Sequence, residues 1–146
     1  FYWRDTLPYQ AVTLDKIVTG TYNARLSYKI VYRTNLDRDY RTLADNLSTA
    51  QNRTIQANPT VLGLKSGEVV TDFMFVFGNV PAGFRCVENP HVYGTVRSSV
   101  AGTAFVNKAD VGGLHNQQWI MSNDAWTTTI YRAPTYKKPT LPTTGW

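Results

Sequence analysis

The chain has 146 residues and a formal net charge of +5, with 42% apolar and 17% charged residues. These values predict one folded domain with its own core, and no apolar run approaches the ~18 residues that a bilayer requires. The basic residues are scattered and form no run of five or six, so we predict no nucleic-acid partner. Cys86 is the single cysteine, which excludes an internal disulfide.

The apolar pattern predicts β-strands from one end of the chain to the other. Strand-favouring residues alternate with polar ones in short runs that Gly, Pro, Asn and Asp clusters separate. The alternation is clearest where Tyr28, Ile30 and Tyr32 face one way and polar residues face the other, as in a half-buried antiparallel strand. In chain order, strands are predicted at residues 12–18, 25–33, 41–44, 53–56, 69–77, 92–96, 103–111, 118–121 and 126–132.

The spacing of these strands predicts an all-β fold, a β-sandwich over residues 1–132. Residues 69–77 are almost continuously apolar, as expected of a central strand that is covered on both faces. Helical periodicity is scarce, and residues 43–51 are rich in Asn, Ser and Thr, so we interpret them as a loop. Residues 133–146 are predicted to form an extended Pro-rich linker.

The linker carries a short motif, Leu141-Pro142-Thr143-Thr144-Gly145, after the Pro- and Lys-rich residues 133–140. It resembles the LPxTG sorting signal of Gram-positive surface proteins, which a sortase cuts between Thr and Gly. The resemblance implies that the sortase reads Leu141 and Pro142, that Thr144 is joined to peptidoglycan and that Gly145 leaves. The family also has an apolar span and a basic tail after the motif, and Phe1 is not a start Met, so we expect this sequence to be a piece of a longer chain.

Four further stretches, residues 3–8, 14–22, 77–84 and 105–113, resemble wall-proximal β-sandwich domains of sortase-anchored adhesins and pilins. The resemblance implies an immunoglobulin-like fold, an extracellular location anchored to the cell wall, and a role as a stalk or adhesive module. The implied partners are the sortase, peptidoglycan and a host glycan or protein ligand. No Ser-His-Asp arrangement, phosphate-binding loop or paired-carboxylate motif stands out, so we predict neither enzymatic activity nor a cofactor.

Relatives of these domains form an internal isopeptide bond between Lys and Asn or Asp, assisted by a buried carboxyl group. Burial lowers the pKa of the Lys amine and raises that of the acid. Alternation places Lys16 with Val12, Leu14 and Val18 on one face, and Asn107 with Phe105, Ala109 and Val111. Alternation also places Glu68 and Asp72 on one face of the central strand, with Val70, Met74 and Val76. Glu68 is the first candidate for the acid and Asp72 the second. The competing interpretation is that Lys16 reaches solvent from a strand edge and that Asn107 satisfies a backbone group.

Other kinds of site have less support. His91 and His115 with Cys86 make a poor metal site, and we predict none. The residues around Cys86 and the two glutamines Gln117 and Gln118 do not match the thioester motifs of surface adhesins.

Two other functions stay open. Aromatic side chains could form a sugar-stacking platform, making the chain a carbohydrate-binding β-sandwich module, although the same residues also suit a sandwich core. A phage or virion β-domain in which this peptide occurs by chance is a third interpretation. The platform residues would be Trp119, Trp126, Tyr93, Tyr131 and Tyr136.

Overall fold

The computed structural model describes residues 1–97 in full, together with the backbone of the strands at residues 104–115, 118–129 and 135–137. Strands dominate these ranges, and one short helical turn interrupts them. In chain order the elements are β1 (Tyr2–Thr6), β2 (Val12–Val18), β3 (Thr21–Tyr22), β4 (Ser27–Thr34), β5 (Asp37–Ser48), β6 (Thr54–Gln56), α1 (Pro59–Leu62), β7 (Val70–Val76), β8 (Cys86–Glu88), β9 (His91–Val96), β10 (Ala104–His115), β11 (Gln118–Thr129) and β12 (Thr135–Lys137).

The strands form antiparallel sheets. The largest has six strands in the order β11-β10-β1-β7-β4-β5, a second has the order β12-β9-β2-β6, and β3 pairs with β8. The first strand of the chain is therefore internal to the largest sheet: every residue of β1 pairs with β10 on one side and with β7 on the other. The all-β prediction is confirmed, and the arrangement is consistent with a sandwich.

The core is aromatic on the side of the six-stranded sheet and aliphatic on the side of the four-stranded sheet. Trp3 lies edge-on to Phe73 and Phe75, with ring centroids 5.7 and 4.9 Å away. Leu14 and Ile17 of β2 belong to the same buried cluster. Because rings of this size bury large areas and pack in specific orientations, they supply much of the fold's stability.

Several predicted strands match the structure closely. The bounds of β2 agree with the prediction, and Tyr28, Ile30 and Tyr32 of β4 are buried as the alternation predicts. The run predicted at residues 118–121 and the described part of the run predicted at residues 126–132, namely 126–129, belong to one long strand, β11. The loop predicted at residues 43–51 is wrong over most of its length, because β5 continues to Ser48.

Four short or terminal elements were not predicted as strands: β1, β3, β8 and β12. The helical turn α1 was not predicted either, although helix-capping residues lie at both of its ends. The Asn58 side chain accepts a hydrogen bond from the Val61 N–H, and Gly63 ends the turn in the left-handed conformation. A single turn is too short to show helical periodicity, so only its capping residues could have predicted it. No helix among the described residues is long and apolar enough to cross a membrane.

Two register irregularities decide which side chains face the core. In β2 the pairing with β9 shifts between Leu14 and Lys16, so that Asp15 is an extra residue. In β7 the pairing with β4 jumps from Arg33↔Asp72 to Thr34↔Val70, so that Thr71 is extra. An extra residue of this kind reverses the inward and outward alternation beyond it.

The strand β5 lies at an edge of the six-stranded sheet and is irregular along its length. Its pairing with β4 shifts three times, and Asn46 has a positive φ of 52°. Charged side chains are frequent in it, with Arg38, Asp39 and Asp45 exposed. This edge therefore departs from a flat, regular row of backbone donors and acceptors.

Candidate functional site

Two buried carboxylates lie near the same end of β4, β5 and β7, each paired with an arginine. Glu68 precedes β7 and Asp72 belongs to it, and their residue exposures are 5% and 2%. Buried carboxylates require partners, since an unpaired charge in the interior is costly. Arg41 of β5 and Arg33 of β4 supply the neutralising charges.

Asp72 lies on the face of β7 opposite to the buried ring of Phe73. Its Oδ1 accepts a hydrogen bond from Arg33 Nε at 2.7 Å, and its Oδ2 accepts one from the Tyr40 hydroxyl at 2.5 Å. The Thr71 hydroxyl also donates to Oδ1, at 2.8 Å. Burial, followed by the bond to Asp72, raises the pKa of Tyr40 to about 12, so the phenol keeps its proton and remains a donor.

Glu68 is held from three directions. Its Oε2 accepts hydrogen bonds from the Thr34 hydroxyl at 2.7 Å and from Arg41 Nη2 at 2.9 Å, and its Oε1 accepts one from the Lys65 N–H at 3.0 Å. These bonds, that of the Lys65 N–H first, lower the pKa of Glu68 to about 2. The carboxylate is therefore ionised at neutral pH.

The two candidate acids do not share a face, contrary to the simple alternation from Glu68 to Val76. The extra residue Thr71 separates them: Val70 packs in the core, whereas Asp72 lies on the outer side. The isopeptide chemistry needs a protonated acid in an apolar interior, and the pKa of Glu68 is lowered rather than raised. The geometry gives Glu68 and Asp72 the role of ion-pair partners.

Lys16 lies on the four-stranded sheet and is half-buried. Beyond the irregularity at Asp15 the buried phase of β2 moves to Ile17, so the predicted sharing of the core face by Lys16 and Leu14 is wrong. The Lys16 ammonium lies 5.0 Å from the centre of the Tyr93 ring, a favourable cation–π distance. Asn107 lies on β10 in the six-stranded sheet, paired with β11, and its side chain lies outside the described part of the structure.

Next to the Asp72 cluster is an open, polar cleft of about 430 Å³. It lies between the β4–β5 turn and the residues around Thr6 and Tyr9, and Asp72 lines its wall. A volume of this size is within the usual range of small-ligand sites. Its lining residues are Thr6, Tyr9, Arg33, Thr34, Asn35, Leu36, Asp37, Arg38, Thr71 and Asp72.

The turn beside the cleft is fixed to the start of β7. Asn35 donates through Nδ2 to the Gly67 carbonyl at 3.0 Å, and its Oδ1 accepts from the Val69 N–H at 2.9 Å. The backbone N–H of Asn35 also donates to the Val69 carbonyl. Three bonds from one residue hold the cleft wall in one conformation before any ligand binds. This cleft has no local signature in the sequence, because its lining residues come from three separate segments of the chain.

The structure describes only part of the other sites considered from the sequence. Cys86 is a free, half-buried thiol whose pKa is raised to about 12 by burial, so it is not activated as a nucleophile. Within the described ranges, no group of three or more His, Cys, Asp or Glu residues could hold a metal ion. Of the five platform aromatics, only Tyr93 has a described side chain, and it packs beneath Lys16. The thioester partners Gln117 and Gln118 lie outside the part described with side chains.

The sorting motif at residues 141–145 lies outside the described residues. Its interpretation therefore depends on the sequence. No protein-family model, curated protein or solved structure matches this chain.

Proposed function

We propose that this chain is a non-catalytic β-module of a sortase-anchored surface protein of a Gram-positive cell wall, where it acts as a stalk or adhesive domain. The observation that carries the proposal is the sequence Leu141-Pro142-Thr143-Thr144-Gly145 directly after a Pro- and Lys-rich segment. Residues 135–137 of that segment pair with β9 as strand β12. Proline fixes φ and removes a backbone donor, so the sequence from residue 138 onward favours an extended, accessible chain. An immunoglobulin-like topology and the Pro-rich linker belong to the same proposal.

The central position of β1 supports a load-bearing role. Tyr2 pairs with Val76 and Gly112, and the ladders continue on both sides to Thr6. A pull along β1 therefore acts on two ladders of backbone hydrogen bonds at once. A strand at the edge of a sheet would be held by only one.

The single cysteine leaves this fold without an internal disulfide. Cys86 is the only cysteine in the sequence, and burial keeps its thiol neutral. The fold instead depends on its aromatic core and on the pairs Arg33–Asp72 and Arg41–Glu68. Changes in the redox state of the surroundings would therefore leave the fold intact.

The proposal does not include the isopeptide bond. Lys16 contacts Tyr93 and Glu68 is ionised against Arg41, and neither arrangement favours the cross-link. The mass of the intact protein checks this directly: we expect the unmodified sequence mass. A wild-type mass lower than the sequence mass by one ammonia, together with an unmodified mass for Lys16→Ala, would show that the cross-link forms.

The tether is tested by incubating the protein with a purified sortase and a glycine-peptide nucleophile. We expect a product in which the peptide is joined to Thr144, and none from the matched variant Leu141→Ala. A free peptide containing the same five residues serves as the positive control. If the sortase processes this peptide but leaves the protein intact, the tether proposal fails.

A further inference from the structure

In the polar cleft, the side-chain acceptors already have hydrogen-bond partners, whereas several donors have none among the residues described with side chains. Its acceptors are occupied: both oxygens of Asp72 accept hydrogen bonds, and so do both oxygens of Asp37, from the Asp39 N–H and from Arg41 Nη2. The Asn35 amide is also fully engaged with backbone groups. Each of these carboxylate and amide oxygens therefore already has a donor within the protein.

Donors, in contrast, are left over. Arg33 is fixed by Nε to Asp72, and its guanidinium lies 4.9 Å from the centre of the Tyr40 ring. Its terminal nitrogens make no hydrogen bond to any residue described with its side chain. Arg38, exposed on the same cleft, likewise has no partner within residues 1–97. The hydroxyls of Thr6 and Tyr9 also line the cleft and make no hydrogen bond in that range.

We propose that this cleft binds an oxyanion, a carboxylate or phosphate group, carried on a sugar or polyol chain. The two terminal nitrogens of a guanidinium match the two oxygens of such a group, and here the guanidinium is already oriented by Asp72 and Tyr40. Prior fixation of the arginine and of the Asn35 turn lowers the entropic cost of binding. Arg38 provides the second positive charge at the cleft, and the two carboxylates of the lining, Asp37 and Asp72, are paired with Arg41 and Arg33.

The size and rim of the cleft favour a polyhydroxylated carrier over a bare ion. The volume of about 430 Å³ far exceeds that of one carboxylate. The hydroxyls of Thr6 and Tyr9 can exchange hydrogen bonds with sugar hydroxyls, and the Tyr9 ring and the exposed Leu36 offer apolar surface to a sugar's C–H face. This inference concerns the folded domain and does not depend on the sorting signal.

Calorimetric titration of the full chain tests the proposal with three probes. These are an oligosaccharide of glucuronic acid, an oligomer of glycerol phosphate and an uncharged glucose oligosaccharide of similar length. We expect at least one acidic probe to bind with a Kd of about 1 mM or tighter and the uncharged probe to bind at least about tenfold more weakly. Which acidic probe binds identifies the source of the oxyanion. Binding of neither acidic probe, or equal binding of all three probes, overturns the proposal.

Matched variants locate the binding. Arg38→Ala removes an exposed arginine of the cleft, and Arg85→Ala removes an exposed arginine outside it with the same change of net charge. We expect about tenfold weaker binding for Arg38→Ala, corresponding to loss of a charged hydrogen bond, and less than twofold for Arg85→Ala. If the two variants lose the same affinity for the acidic probe, the binding depends only on the net charge of the protein, and the proposed site is wrong.

A second cleft variant guards against a folding artefact. Leu36→Asp places a negative charge on an exposed position of the two-residue turn, where aspartate is well tolerated. We expect an unchanged unfolding midpoint and at least about tenfold weaker binding of the acidic probe, since like charges repel at this range. Undiminished binding in this folded variant would place the ligand elsewhere.

Discussion

Replacing Phe75 by alanine tests the core of the six-stranded sheet. The side chain is completely buried, and four aromatic rings surround it: the centroids of Trp3, Tyr28, Phe73 and Phe77 lie 4.9, 5.7, 6.1 and 6.1 Å away. Phe-to-Ala changes in cores cost about 3–5 kcal/mol through lost transfer energy and the cavity left behind. Since four rings lose a neighbour, we expect a cost in the upper part of this range, about 4–5 kcal/mol.

The matched control is the next residue along β7. Met74 points to the other face and is only half-buried, so Met74→Ala is expected to cost about 1 kcal/mol. Urea unfolding followed by tryptophan fluorescence gives both values, provided that the slope of the transition stays constant. If the two variants lose similar free energies of unfolding, the assignment of Phe75 to the core face is wrong.

Three further predictions concern single residues. The pKa of Glu68 is lowered from 4.5 to about 2, so its ionised form stabilises the fold above pH 4.5 and this contribution is lost as the pH falls from 4.5 toward 2. The difference in free energy of unfolding between the wild type and Glu68→Gln should therefore shrink across that interval, and a constant difference would contradict the pairing. Burial raises the pKa of the Cys86 thiol from 9.0 to about 12. We expect its alkylation by iodoacetamide at neutral pH to be at least about 100-fold slower in the folded protein than in urea, because the thiolate is the reactive form; equal rates would show an unprotected thiol. Gly20 and Gly63 both have positive φ, but a Cβ at Gly20 would lie 2.4 Å from the Glu88 carbonyl oxygen, whereas one at Gly63 meets nothing within 4 Å. Thermal unfolding should show Gly63→Ala destabilised by about 1 kcal/mol and Gly20→Ala by clearly more; the opposite order would refute the close approach at Gly20.

The fold class and most long strands could be predicted from alternation. Tyr28, Ile30 and Tyr32 show why: a period of two survives wherever a strand is regular and has one buried face. The short strands β3 and β8 contain too few residues to show a period. β1 was not predicted as a strand, although Trp3 and Asp5 are buried and alternate with less buried residues as in a regular strand.

The candidate site could be predicted only in part, because register irregularities have little local signature. An extra residue at Asp15 or Thr71 is created by the partner strand and by packing, and polar residues at these positions also suit the outward face of a regular strand. Glu68 and Asp72 were predicted as candidate acids for an isopeptide bond, and the structure buries both but pairs each with an arginine. Their arginine partners lie 27 and 39 residues away along the chain, a separation that no local pattern reveals.

The irregularity of the edge strand β5 affects whether copies of this protein associate when they are crowded. When identical proteins are crowded side by side, a straight edge strand with unpaired backbone N–H and C=O groups can form a continuous sheet with a neighbouring copy. The kink at Asn46, the repeated slips against β4 and the charges of Arg38, Asp39 and Asp45 deny a neighbouring molecule a continuous row of bonding partners along this flank. We therefore expect neighbouring copies to stay separate along β5 even when their local concentration is high.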